Sequence, residues 1–188
     1  TVTASDGTNS ATQNITVNIN NLNDNGPSIT SNATFTANEN QTAIGTVTAT
    51  DIDGNALAFT ISGSEININS SSGVLTFAST PDYETKSSYT ATVTASDGTN
   101  SATQNITVNI NNINEAPTFT SSASFTADEN QTAIGTVTAT DADGNSMSFS
   151  VSGSELSISA AGQLSFIAAP DYETKTTYTA TVTVSDGN

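Results

Sequence analysis

Ser88-Tyr-Thr-Ala-Thr-Val-Thr-Ala-Ser96, then Asp97-Gly98-Thr99-Asn100, then Ser101-Ala-Thr-Gln-Asn-Ile-Thr-Val-Asn-Ile-Asn111 is the stretch whose reading decides the fold. In the first arm Tyr89, Ala91, Val93 and Ala95 occupy every second place. In the second, Ala102, Ile106, Val108 and Ile110 share one face. Side chains of a strand alternate between two faces, so this pattern, rich in Thr and Val, predicts two half-buried antiparallel strands. Asp97-Gly98 supplies the turn between them.

Working outward, the hairpin proves to be part of a repeat. Residues 1–21 are identical to 92–112, residues 39–51 return as 129–141, and Pro81-Asp82-Tyr83-Glu84 returns as Pro170-Asp171-Tyr172-Glu173. A period of about ninety residues is too long for a solenoid unit and fits one small all-β domain per repeat. Alternation continues through Leu57, Phe59 and Ile61, through Ile66 and Ile68, and through Leu75 and Phe77. Turn signals fall at Asp53-Gly54-Asn55, Ser62-Gly63, Ser71-Ser72-Gly73 and Pro81-Asp82. No window predicts a helix of useful length.

Seven strands are therefore expected: A over 28–37, B over 43–50, C over 56–61, D over 66–69, E over 74–78, F over 88–96 and G over 102–110. The fold class is all-β, a linear array of tandem immunoglobulin-like Greek-key β-sandwiches. The expected division is an F–G hairpin of a truncated domain at 1–22, a complete domain at 23–114, and a domain without its last strand at 115–188. A lone hairpin is marginal in water and an open sandwich exposes a sheet edge. Two explanations stand: the chain is a window on a longer array, the favoured one, or its first hairpin completes the last domain of a neighbouring copy, head to tail.

Composition narrows the chemistry. The net charge is −16, from eighteen acids and two lysines, with no arginine, histidine or cysteine. Nucleic acid and anionic membrane surfaces are poor partners, since both need Lys/Arg neutralisation. No apolar run is long enough to insert in a membrane. Zinc lacks its nitrogen and sulfur ligands, and a disulfide cannot staple the domains. Oxygen ligands are plentiful and suit hard cations such as calcium. Catalysis finds no nucleophile–base pair, and the paired carboxylates repeat in every domain, so the chain is expected not to be an enzyme.

Of the eighteen acids only Glu65, Asp128 and Glu155 fall outside repeated motifs, and these read as solvated surface. Strand direction sorts the rest. Glu39 (A–B turn), Asp82 and Glu84 (E–F turn) face the next domain; Asp51, Asp53 and Asn55 (B–C turn) and Asp97 (F–G turn) face the previous one. Glu39, Asp82 and Glu84 should therefore meet the linker Asn112-Ile113-Asn114-Glu115 and the Asp141, Asp143, Asn145 and Asp186 of the next domain. Seven carboxylates would converge there, and like charges a few ångströms apart cost on the order of 1–4 kcal/mol per pair. Two to three calcium ions would use such a cluster, since each takes six to eight oxygens. Asn21, Asn23, Asp24 and Asn25 form the corresponding linker upstream, without upstream acids. Glu129, Asp171 and Glu173 close the last domain with no partner in the chain. Tyr83 and Tyr172 are expected to pack beneath the E–F turn.

These residues resemble the cadherin domain family. Asn21-Leu22-Asn23-Asp24-Asn25-Gly26-Pro27 is similar to its interdomain linker. Asp51-Ile52-Asp53 and Asp141-Ala142-Asp143 are similar to its Asp-x-Asp motif, and Asp82-Tyr83-Glu84 and Asp171-Tyr172-Glu173 to its Asp-x-Glu motif. Glu39 and Glu129 match its A–B glutamate, and Asp6, Asp97 and Asp186 its F–G aspartate. The leading Asp of the linker is Asn21 or Asn112 here, and the second linker is one residue shorter, with Ala116 where Asn would stand. The Glu-Ala-Pro ending and the Thr/Asn/Ser bias resemble bacterial cadherin-like repeats. The resemblance implies a calcium-rigidified structural repeat of a large extracellular or cell-surface adhesin or fibre. Its partners would be neighbouring repeats or like subunits. The alternative is a binding module for carbohydrate or homophilic adhesion, or a strand-complemented filament subunit. The few aromatics weigh against a sugar-stacking platform.

Overall fold

The computed structural model describes residues 1–188, all strand, turn and irregular chain. Two compact units divide it: Thr1–Pro81 with Ser88–Ile110, and Asp82–Ser87 with Asn111–Asn188.

The first unit opens on a hairpin, β1 (Val2–Ser5) and β2 (Ser10–Gln13), turned at Asp6–Asn9. After it come β3 (Ser28–Ile29), β4 (Thr34–Asn38), β5 (Ala43–Thr46), β6 (Ala49–Thr50), β7 (Ala58–Ile61) and β8 (Ile66–Ile68). The last three are β9 (Val74–Phe77), β10 (Ser88–Ser96) and β11 (Ser101–Asn111). One sheet runs β4-β11-β10-β7; the other is β5-β9-β8, with β3-β6 continuing it along the same chain segment. All seven expected strands are present, but A and B each come in two pieces. β3 pairs with β6 and β4 with β11, so strand A changes sheets across 30–33. Strand B breaks at Val47-Thr48, where the Val47 amide donates to the Gly73 carbonyl at 2.9 Å.

Gly73 has φ 70°. A Cβ there would lie 2.2 Å from the Val47 carbonyl oxygen, so only glycine lets the D–E turn reach strand B this closely. The core forms where the two sheets face each other. Leu75, Val93, Ala95, Val108, Ile106 and Val47 are the most deeply buried, with Phe59, Ile66, Phe77 and Ile110 around them. Each fully buried aliphatic side chain stabilises by about 1.5–3 kcal/mol. The β10–β11 register sets Tyr89 opposite Val108 and Ala91 opposite Ile106, bringing the alternating faces of both arms onto that core.

The second unit repeats the plan with β12 (Thr118–Phe119), β13 (Ala133–Thr136), β14 (Ala139–Thr140) and β15 (Ser148–Val151). It ends with β16 (Leu156–Ile158), β17 (Gln163–Phe166) and β18 (Val182–Ser185). Its sheets are β12-β14, β13-β17-β16 and β15-β18. Val137 and Leu164 are its buried hydrophobic residues, a much thinner core than the first unit's.

In both units the A–B and E–F turns share one end. The Asn40 amide donates to the Pro81 carbonyl at 3.0 Å, and Asn130 repeats this with Pro170 at 2.9 Å. Asn40 and Asn130 take left-handed conformations, φ 61° and 62°, which asparagine tolerates better than most residues.

Candidate metal centre

At the N-terminal end of the first unit the Asp-x-Asp-Gly turn folds around its own leading carboxylate. Asp51 Oδ1 accepts the amides of Asp53 (3.0 Å) and Asn55 (3.2 Å). Its Oδ2 is buried and accepts no hydrogen bond. Asp53 Oδ2 accepts the Asn25 amide at 2.8 Å, and Asn21 Nδ2 donates to the Asp53 carbonyl at 2.8 Å. Asn23 Nδ2 reaches Thr99 Oγ1 at 3.3 Å, while its Oδ1 is also buried without a donor. Asp97 Oδ1 accepts the amides of Asn100 (2.6 Å) and Thr99 (2.7 Å). The Asn100 amide, with Thr99 behind it, holds this carboxyl below the usual range and keeps it ionised. Asn21, Asn23, Asn25, Asp51, Asp53, Asn55 and Asp97 thus share one end. Asp24 is exposed, accepting from Asn25 Nδ2 at 2.8 Å.

The second unit builds the same arrangement. Asp141 Oδ1 accepts the Asn145 amide at 3.0 Å, and Oδ2 is again buried with no donor. Asp143 Oδ2 accepts the Glu115 amide at 2.8 Å. Asn114 Nδ2 donates to Asp186 Oδ2 at 2.6 Å, and Asn114 Oδ1 accepts from Asn145 Nδ2 at 2.6 Å. The Asn114 amide is the main cause of a lowered Asp186 pKa. Asn114, Glu115, Asp141, Asp143, Asn145 and Asp186 come together; Asn112 and Ile113 lie exposed just before them.

One expectation about the linker is corrected. Glu115 donates to Asp143 as Asn25 donates to Asp53, so Glu115, not Ala116, stands where Asn25 stands. Ala116 then matches Gly26. The Asn23 side chain helps to lower the Asp97 pKa, and Asn114 Nδ2 donates to Asp186. The residue missing from the second linker is therefore the counterpart of Asp24. Two fixed anchors, the Asp-x-Asp turn and the F–G aspartate, set this register, and aligning the linkers from one end alone cannot find it.

The opposite end of the second unit gathers Glu129, Asp171 and Glu173, whose carboxylate oxygens lie within 4.8 Å of one another. Glu129 Oε2 accepts the Tyr172 amide at 3.0 Å, and Asp171 Oδ2 accepts the Thr174 hydroxyl at 2.7 Å. That hydroxyl is the first cause of a lowered Asp171 pKa. In their counterparts, Glu39 is buried at 3% exposure. Asp82 accepts the Thr85 amide (3.1 Å) and hydroxyl (2.8 Å), the hydroxyl leading the causes that lower its pKa. Within the second unit, Glu84 and Glu115 bring carboxylate oxygens within 4.8 Å of each other. The repeated Glu, Asp and Glu positions already signalled the Glu129 group, which sequence reasoning left outside the ligand set. Tyr83 and Tyr172 do not pack beneath the turn: they are 37% and 65% exposed. Glu155, expected as solvated, is exposed and pairs with Lys175 at 2.6 Å.

The donor set is oxygen only. Three like charges this close cost on the order of 1–4 kcal/mol per pair unless a cation sits among them, and a buried carboxylate oxygen without a donor is unfavourable on its own. Asp51 Oδ2 and Asp141 Oδ2 meet that description, so the residues fit a hard cation such as calcium.

Residues 31–111 match the Cadherin domain family, and residues 114–188 match the Bacterial Ig domain family. These are cadherin-like tandem domains. Among solved structures, the cadherin-like chain is similar to human Protocadherin-24 EC1-2 (20% identity, TM-score 0.58, covering 85% of this chain and 93% of that one). It is also similar to mouse Cadherin-23 EC22-24 (26% identity, TM-score 0.58, 85% and 59%). Drosophila N-cadherin EC1-4 aligns at 17% identity and TM-score 0.55, over 86% of this chain and 48% of that one. No curated protein sequence matches significantly. No helix is long and apolar enough to cross a membrane.

Proposed function

We propose that the cadherin-like chain is a calcium-rigidified, non-catalytic spacer of a long extracellular adhesin or surface fibre. The observation that carries this is Asp141 Oδ2, buried without a hydrogen-bond donor, with Asp51 Oδ2 repeating it in the other unit. Calcium at such an oxygen replaces the missing donor. Glu39, Asp82 and Glu84 of one domain would share it with Asn114 and Glu115 of the linker, and with Asp141, Asp143, Asn145 and Asp186 of the next. Asn112 and Ile113 would add carbonyl oxygens, for two to three ions. Modules of this extracellular kind hold calcium at roughly 10⁻⁴–10⁻³ M, in keeping with a cell-surface or secreted location. Partners would be neighbouring repeats or like subunits.

A ligand that binds only the folded state raises its stability. Thermal unfolding of the chain in millimolar calcium, against the same chain in chelator, should show a raised transition temperature that Asp141→Asn diminishes. Equal transitions in calcium and chelator would refute the proposal.

A further inference from the structure

Asn25-Gly26 is the one Asn-Gly pair in the chain. In such a pair the glycine nitrogen can attack the asparagine side-chain carbonyl carbon, because no Cβ on the glycine obstructs the approach. Two features of the first unit bear on that reaction. The Gly26 amide takes part in no backbone hydrogen bond that would hold its proton. Asn100 Nδ2 donates to the Asn25 carbonyl oxygen at 3.3 Å, the oxygen that shares the negative charge when the Gly26 nitrogen loses its proton. A hydrogen bond to the charged form favours that form. A Cβ at Gly26 would lie 3.3 Å from the Asn100 Cβ, so the same glycine keeps the F–G turn close to the linker.

We propose that Asn25 is a modification site, losing its side-chain amide to water through a cyclic imide, with Asn100 as the activating donor. The Gly26 nitrogen gives its proton to solvent and bonds to Asn25 Cγ. The Cγ–Nδ2 bond breaks, and that nitrogen takes up a proton and leaves as ammonia. Water then opens the imide at either carbonyl, leaving a carboxylate on residue 25 with the chain running through the main-chain carbon or through Cγ. The sum is one water consumed and one ammonia released, with no oxidant or reductant. The new charge lands where Asn25 Nδ2 donates to Asp24 Oδ1 at 2.8 Å and to Asp53 Oδ1 at 3.2 Å, so both contacts become like-charge contacts. The second linker holds Glu115 in this register, its amide donating to Asp143 as that of Asn25 donates to Asp53. Deamidation thus gives the first linker a charge that the second carries from synthesis.

Incubation of the 188-residue chain in chelator and heavy-oxygen water, followed by peptic digestion and mass spectrometry, tests this. Each event replaces NH by a labelled oxygen. The expected result is label at Asn25 ahead of Asn9, Asn69, Asn100 and Asn145, which precede serine. Asn100→Ala keeps the main-chain amide that Asp97 Oδ1 accepts and removes the donor to Asn25, so labelling at Asn25 should slow severalfold. In urea, where the fold no longer places Asn100, the wild type and Asn100→Ala should label at the same rate. Absence of label at Asn25 overturns the proposal. Equal rates in the folded wild type and folded Asn100→Ala overturn it too, by reducing the site to the bare lability of an Asn-Gly pair. Chelator removes any cation, so either failure leaves the spacer proposal untouched.

Discussion

Residues 101–111 and residues 10–20 are the same eleven residues with opposite outcomes. In the first copy, β11 pairs along nine positions with β10 and buries Ile106, Val108 and Ile110. In the second, four positions pair with β1 and the equivalent Ile15, Val17 and Ile19 face solvent. Intrinsic strand preference is identical, so it cannot decide between them. What differs is the sheet on offer: β10 extends to Ser88 and β4 lies on the far side of β11, whereas β2 has only a four-residue neighbour. Strand propensity is mostly a matter of fitting a half-buried surface that other strands provide.

Charge insertion would widen this contrast most. Val108→Asp buries an unpaired carboxylate in the core and should remove more than about 4 kcal/mol from the first unit's stability. Val17→Asp, at the same place in the exposed copy, should stay within about 0.5 kcal/mol. Urea unfolding followed by far-ultraviolet circular dichroism measures both, and similar losses would break the comparison. Next in size is Gly73→Ala. Its Cβ would press on the Val47 carbonyl oxygen, and a left-handed alanine alone costs about 1–2 kcal/mol. Gly162 meets the Val137 carbonyl oxygen in the same way, at 2.1 Å. Its substitution should lower the second unit's transition while leaving the first unit's unchanged.

The smallest effect compares the two F–G turns. Asp97 is held below its ordinary pKa chiefly by the Asn100 amide, and Asp6 chiefly by the Asn9 amide. Both turns are local, so carboxyl NMR titration should find both values lowered. A lowered folded value stabilises above the unfolded pKa of about 3.9, and that contribution fades as pH falls through the folded value. Asp97→Asn should therefore flatten the acid side of the first unit's stability profile. Asp6→Asn should leave it unaltered, because its hairpin contributes nothing to the core.

Much of this is legible in the sequence. Period-two alternation found all seven strands of the repeat, and the placement of acids at turns found both ends of each domain. Asp51, Asp53 and Asp97 were legible because a short Asp/Gly turn has few ways to fold, and repetition excludes chance. Three features were not. Strand A's change of sheet across 30–33 depends on pairing with β6 and then β11, which composition does not encode. The linker register needed the Asp143 and Asp186 anchors in space. The exposure of Tyr83 and Tyr172 runs against the usual tendency of an aromatic ring to be covered.

Isothermal titration of the chain with calcium chloride tests the central claim most directly. The account predicts saturable binding of two to three ions with dissociation constants near the millimolar range, greatly weakened in Asp141→Ala and in Glu84→Ala. Absence of any binding heat at millimolar calcium, or binding indifferent to both substitutions, would contradict it.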